Sequence, residues 1–141
     1  MISEFQNRRD ILIVEDELDF AEILKTYCEE LKIFRNIVIA QDGSIGLNKL
    51  NNQDFLLGIF DLNLPKKNGI QLLHHLKSST TQKVENALVI SGEIAPQNVE
   101  YAYDLGVRQF LVKPFSKEQF YEKIINVLLR IAPKIKNFNV P

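Results

Sequence analysis

The sequence predicts a three-layer α/β sandwich, a doubly wound five-stranded parallel sheet with helices on both faces and strand order 2-1-3-4-5. Three observations carry this reading. Five short apolar runs alternate with five stretches of helical periodicity, the pattern of parallel strands joined by crossover helices. Several of the runs stop abruptly in acids, a hydroxyl or a lysine, as strands do where they emerge at the carboxyl edge of such a sheet. The length, 141 residues, is enough to bury one ordinary core and leaves no room for a second module.

Residues 1–9 form a polar lead. Ile11-Leu12-Ile13-Val14 then reads as a buried strand running into Glu15-Asp16-Glu17. From Leu18 to Leu31, Phe20, Ala21, Ile23, Leu24, Tyr27, Cys28 and Leu31 recur at helical spacing with charged residues between them. Cys28 lies on that stripe with no neighbouring cation to make it a thiolate, so it reads as core filler. Asn36 to Ala40 is a short β-branched strand, and Gly43 to Leu50 a helix that Gly46 weakens by about 1 kcal/mol relative to alanine. This second helix should be the softest.

Phe55 to Phe60 is the central buried run, and Asp61 stands where it leaves the sheet, ahead of Pro65, Lys66, Lys67 and Gly69. Gly69, Leu72, Leu73 and Leu76 make one face of the third helix, which ends in the polar segment from Ser78 to Gln82. His74 and His75 lie off that face and diverge, so they read as solvated rather than as joint metal ligands. Ala87 to Ile90 is the fourth strand, ending in Ser91-Gly92-Glu93. Pro96 suits the first turn of a helix through Val99, Ala102 and Leu105, with Gly106 as its stop. Its apolar stripe is thin. Phe110-Leu111-Val112 is the last strand, followed by Lys113-Pro114. Ser116 and Gln119 have the spacing of a capping box, and Phe115 and Phe120 that of a hydrophobic staple, so the last helix starts at Ser116. It presents Phe120, Ile124, Val127, Leu128 and Ile131 before Pro133 ends it.

A net charge of -1 provides no basic surplus for nucleic acid, so any phosphate chemistry must be local. The single cysteine cannot form an internal disulfide, the first residues lack an apolar signal region, and no apolar run approaches the roughly 20 residues of a membrane span. A soluble, cytoplasmic protein is the expectation.

In the predicted order the first and third strands are neighbours, about 4.8 Å apart, so Glu15-Asp16 and Asp61 would face each other across a few ångströms. Carboxylates that close repel; they take up protons or bind a hard cation, and such oxygen ligands suit magnesium. With its charge offset, a carboxylate can attack phosphorus and form an acyl phosphate. Lys113 can offer a compact positive charge to phosphoryl oxygens, and Ser91 a hydrogen bond. Each residue also has a plain structural reading. Asp61 could bond its own turn, Ser91 could cap a loop, and Lys113 could be solvated. Their convergence on one sheet edge is what favours chemistry.

The motifs ILIVEDE, FDLNLPKKNG, VISG and LVKPF, with their spacing, give the chain a close resemblance to the CheY-like receiver domain of bacterial two-component response regulators, over roughly residues 10–131. The resemblance implies that Asp61 is the phosphoacceptor. Magnesium would be held by Glu15, Asp16 and Asp61 with the main-chain carbonyl of Asn63. Lys113 matches the family's lysine, Ser91 and Phe110 its hydroxyl and aromatic switch positions, and Asn63 and Glu93 the positions that tune phosphoryl lifetime. A cis Lys113-Pro114 bond is implied too.

The same resemblance implies a histidine kinase or histidine phosphotransfer protein as donor, and a downstream effector docking on the fourth helix, fifth strand and fifth helix. Tyr101, Tyr103 and Phe110 would be the aromatic anchors there, or ordinary half-buried packing. It implies no catalysis beyond the chain's own phosphoryl transfer and dephosphorylation, no direct nucleic-acid or membrane binding, and is compatible with a phosphorylation-linked dimer. Gly46, Gly58 and the ring of Phe110, which lacks a hydroxyl, depart from the common pattern. Residues 132–141 are a tail or the start of a linker, so the chain is either a stand-alone receiver or a piece of a longer regulator.

Two other classes remain open at this point: a receiver-like adaptor that docks without phosphorylation, and a magnesium-dependent phosphohydrolase with Asp61 as nucleophile. The second commonly carries another acid where this chain has Asn63, and needs a cap that the length hardly accommodates. A nucleotide-binding fold is disfavoured, because the turn after the first strand is acidic and has no glycine-rich phosphate loop.

Overall fold

The structure, a computed structural model, describes residues 9–63, 69–79, 83–92 and 96–132. The strands are β1 (Asp10–Val14), β2 (Asn36–Ala40), β3 (Leu57–Asp61), β4 (Ala87–Ser91) and β5 (Gln109–Val112). They alternate with α1 (Leu18–Leu31), α2 (Gly43–Asn52), α3 (Gly69–Ser78), α4 (Pro96–Leu105) and α5 (Lys117–Ile131). All pairings are parallel and the order is β2-β1-β3-β4-β5. This is the three-layer, doubly wound fold that the alternation predicts. A 3-10 turn over Val84–Asn86, which the sequence did not announce, carries the chain into β4 and buries Val84.

Strand alternation divides the core in two. Ile11, Ile13, Ile59, Leu88 and Ile90 meet α1 and α5 on one face, with Leu24, Cys28, Phe120, Ile124 and Leu128. Leu12, Val14, Phe60 and Val89 point to the other face, against Leu50, Leu72, Leu73, Leu76 and Ala102 of α2, α3 and α4. Because side chains alternate with period two, one strand supplies both layers, which is why β1, β3 and β4 are apolar except at one terminal residue each, Asp10, Asp61 and Ser91.

The predicted face of α3 is buried as expected, and so is Cys28. Ile23 is a correction: it is 47% exposed, because it falls on the outer shoulder of α1, beyond the arc that Ala21, Leu24, Cys28 and Leu31 bury. Tyr121, not anticipated, is buried on α5 and donates its hydroxyl to the Tyr27 carbonyl and to Glu30 Oε2, both at 3.0 Å.

The caps follow local chemistry. Asp42 accepts from the Ile45 N–H at 2.8 Å to start α2. Ser116 and Gln119 form the predicted capping box at 2.9 and 3.1 Å, so α5 begins at Lys117 with Ser116 as its cap, and Phe115 stacks on Phe120. Gly106 ends α4 at φ +123°, a conformation that side-chain-bearing residues rarely adopt. The Lys113-Pro114 bond is cis, as the resemblance implies.

At the amino edge of the sheet Asp10 is buried and receives Arg35 Nε at 3.3 Å, Asn36 Nδ2 at 3.1 Å and Gln53 Nε2 at 3.1 Å. Among the described residues, no helix is long and apolar enough to cross a membrane.

Candidate functional site

The register builds the site at the carboxyl edge. Val14 lies opposite Phe60, so the next residues of the two strands, Glu15 and Asp61, are neighbours. Ser91 ends β4 opposite Val112, and the Lys113 N–H donates to the Ser91 carbonyl at 2.9 Å, which fixes Lys113 beside Ser91. Residues far apart in the chain meet because each follows a strand whose position in the sheet is set.

Lys113 Nζ is the centre of the cluster. It lies 2.6 Å from Glu15 Oε1, 2.9 Å from Asp61 Oδ2 and 3.6 Å from Glu17 Oε1, and its side chain is 16% exposed. Burial alone would lower the affinity of Lys113 for its proton, but its bonds to Glu15 and Asp61 outweigh that and raise its pKa, so it carries full charge at neutral pH. Glu15 is wholly buried, and desolvation pushes its pKa up to about 7 despite the opposing contact with Lys113 and the Glu17 N–H at 3.1 Å. Its Oε1, although in ion-pair contact with Lys113, is among the described residues the buried side-chain oxygen that lacks an aligned hydrogen bond.

Asp61, 3% exposed, accepts the Asn63 N–H on Oδ1 at 2.9 Å and Lys113 on Oδ2. The turn bond of Asp61 is therefore made on Oδ1, while Oδ2 meets the Lys113 ammonium. Asn63 reaches further: its side-chain amide donates to Ser91 Oγ at 2.9 Å, linking the turn after β3 to the end of β4. That bond was not legible in the sequence.

Glu15, Asp16 and Asp61 bring one carboxylate oxygen each within 4.8 Å of one another. An all-oxygen donor set with a buried, poorly bonded Glu15 oxygen fits a hard divalent cation, because the cation would offset the like charges that burial makes costly. Asp16 is exposed, which keeps one side of the cluster open to solvent and to water ligands.

Phe110 is half-buried against the core layer shared with α3 and α4, while Tyr101 and Tyr103 on α4 are exposed. Tyr101 contacts His74 of α3 through its hydroxyl, with the rings in edge-on contact at 5.3 Å. Arg108 lies over the Tyr103 ring at 4.1 Å. Thus Glu15, Asp16, Asp61, Asn63, Ser91 and Lys113 all converge on one edge. Glu93, the other expected lifetime position, lies outside the described residues, as do Pro65 and most of the terminal segments 1–9 and 132–141.

Comparison with known proteins agrees with the fold. Residues 11–125 match the family model of the response regulator receiver domain. The chain is 31% identical to chemotaxis protein CheY-3 of Vibrio cholerae over 121 residues, covering 86% of this chain and 92% of that protein. It is 31% identical over 128 residues to response regulator ArlR of Staphylococcus epidermidis, covering 89% of this chain but 55% of that longer regulator. Among solved structures, the CheY-like receiver domain protein of Methanospirillum hungatei JF-1 superposes with a TM-score of 0.79 at 26% identity, covering 91% of this chain and 99% of that one.

Proposed function

The chain belongs to the response regulator receiver domain family, and from that premise we propose that Asp61 accepts a phosphoryl group from a phosphohistidine on a partner kinase or phosphotransfer protein. A carboxylate oxygen of Asp61 attacks phosphorus in line with the leaving imidazole. The P–O bond forms, the P–N bond breaks, and its electron pair returns to the imidazole, which takes up a proton. Water later attacks the same phosphorus, releasing inorganic phosphate and restoring the carboxylate. The chain turns over no other substrate in this reading.

Magnesium, held by Glu15, Asp16 and Asp61 with the Asn63 main-chain carbonyl, would supply positive charge to the phosphoryl oxygens. Lys113, already bonded to Asp61, supplies a second positive charge. The single observation that carries the proposal is this ammonium, set between Glu15 and Asp61 at 2.6 and 2.9 Å. It neutralises the acceptor without blocking both of its oxygens.

The new charge on Asp61 draws the Ser91 hydroxyl toward it and lets Phe110 turn inward, which alters the surface of α4, β5 and α5. Asn63, bonded to both Asp61 and Ser91, tunes phosphoryl lifetime together with Glu93. A downstream effector then reads the face carrying Tyr101 and Tyr103.

The test is mass measurement of the intact protein after incubation with acetyl phosphate and magnesium. One phosphoryl group should add to the parent chain and none to Asp61→Asn. A label that persists in Asp61→Asn refutes the assignment, and an unlabelled parent leaves the phosphorylation-independent adaptor as the better reading.

A further inference from the structure

Phe20 belongs to the inward stripe of α1, yet its ring is only half-buried and lies beneath the Lys113 ammonium, 4.7 Å from Nζ to the ring centroid. Phe115, which follows the Lys113-Pro114 pair, sets its ring against Phe20 edge-on, with centroids 5.5 Å apart at 72°. Phe115 in turn stacks on Phe120 at 6.2 Å and 13°, and Phe120 is wholly buried in the core. A row of three rings therefore runs from the hydrophobic interior to the charged site.

We propose that Phe20 is a positioning residue for Lys113: its ring holds the ammonium at the carboxylate cluster. The inference rests on the role given to Lys113 above. A lysine head is a point charge on a flexible four-carbon stem, and acids alone would hold it by contacts it must give up. When a phosphoryl group arrives on Asp61, the ammonium has to exchange its Asp61 bond for phosphoryl oxygens. The ring contact is electrostatic, acting through the quadrupole of the aromatic face, and uses none of the hydrogen-bond directions that the phosphoryl oxygens need. It also leaves the positive charge undiminished, as a fourth carboxylate would not. The attraction is stronger where water is partly excluded, as it is around this side chain.

The test compares Phe20→Leu, Phe20→Tyr and a series with one, two or three ring fluorines on the phenylalanine at this position. Leucine keeps the apolar bulk and removes the aromatic face; tyrosine keeps the face; fluorination keeps the shape and weakens the quadrupole. The initial rate of labelling by acetyl phosphate should fall about 3- to 10-fold in Phe20→Leu and stepwise with fluorine number, while Phe20→Tyr stays within about twofold of the parent. Equal rates in Phe20→Leu and Phe20→Tyr, or no trend with fluorination, overturn the proposal.

A second readout does not depend on phosphorylation. The Lys113 ε-methylene proton resonances should be shifted upfield by the ring current in the parent and in Phe20→Tyr, and return to ordinary values in Phe20→Leu. Unshifted resonances in the parent overturn the proposal even if the labelling rates conform. An unlabelled parent refutes the phosphoacceptor reading separately, and these resonances still decide the contact.

Discussion

The side-chain amide of Asn63 donates to the hydroxyl oxygen of Ser91 across 2.9 Å, joining the turn after β3 to the end of β4. The same residue bonds Asp61 through its main-chain N–H. One asparagine thus ties the proposed acceptor to the proposed switch hydroxyl, and the side-chain bond must lengthen or break if Ser91 moves toward a phosphoryl group.

Asn63→Ala should therefore lower the stability of the unmodified protein by about 0.5–1.5 kcal/mol, the usual net worth of such a bond. It should also tighten binding of beryllium fluoride, a phosphoryl mimic, by up to about tenfold, since the competing bond is gone. Denaturant unfolding and a fluoride titration measure the two effects. Weaker mimic binding in the variant would mean that Asn63 assists the switched state instead of opposing it.

Two glycines should respond differently to alanine. A Cβ at Gly69 would lie 2.5 Å from the Asp61 carbonyl oxygen and 2.8 Å from Leu62 Cα, both main-chain atoms that cannot swing aside. Gly69→Ala should cost about 1–3 kcal/mol and slow labelling of Asp61, because relief of the clash moves the acceptor's own peptide. At Gly46 the nearest atoms are the Val14 methyls at 3.1 and 3.2 Å, so tight packing opposes the helix gain of about 1 kcal/mol. Gly46→Ala should change stability by less than about 1 kcal/mol. Urea midpoints and labelling rates separate the two cases.

Acid should weaken the α1–α5 contact. Glu30 accepts the Tyr121 hydroxyl at 3.0 Å and Lys117 at 2.5 Å, and those bonds lower its pKa from the ordinary 4.5. The folded protein releases this proton more readily than the unfolded chain. The contribution is therefore present above the unfolded value and lost as the pH falls through the lower folded value. Glu30→Gln should lie below the parent in melting temperature at pH 7, with the gap closing at pH values well under 4.5. A gap that persists unchanged in acid would show that the ion pair is not its source.

Magnesium should stabilise the parent through linkage, by about 1.4 kcal/mol when the free ion is at ten times its dissociation constant. Replacing Glu15 by glutamine should remove most of that increment while leaving the fold intact, since the buried side chain keeps its volume. Thermal melts with magnesium and with a chelator measure the difference. An equal increment in both proteins would place the ion elsewhere.

Much of this molecule was legible before any coordinates. The apolar runs and helical stripes named every strand and helix to within a few residues, because burial on two faces and on one face leave different periodicities. The adjacency of Glu15 and Asp61 followed from the strand order. What escaped were features set by shape. Ile23 has the spacing of the α1 stripe but sits at its margin, and periodicity does not say how wide the covered arc is. Asp10, just ahead of the first apolar run, carried no sign of a role, yet Arg35, Asn36 and Gln53 meet its carboxylate at the end of the sheet. The bond between Asn63 and Ser91, and the ring of Phe20 under Lys113, depend on rotamers that residue type and spacing leave undetermined.

The helix α4 buries one side chain, Ala102, and touches its neighbour α3 through His74 and Tyr101 at the rim. Little apolar area would return to water if this cylinder rotated or slid by an ångström or two. Helices α1, α3 and α5 are each pinned by at least three buried side chains, whereas α2 buries Leu50 and two glycines, Gly43 and Gly46. Amide hydrogens of α4 should consequently exchange with deuterium ahead of those in the central turns of α1, α3 and α5, and a disturbance at the sheet edge has in α4 a part that yields while those three helices keep their places.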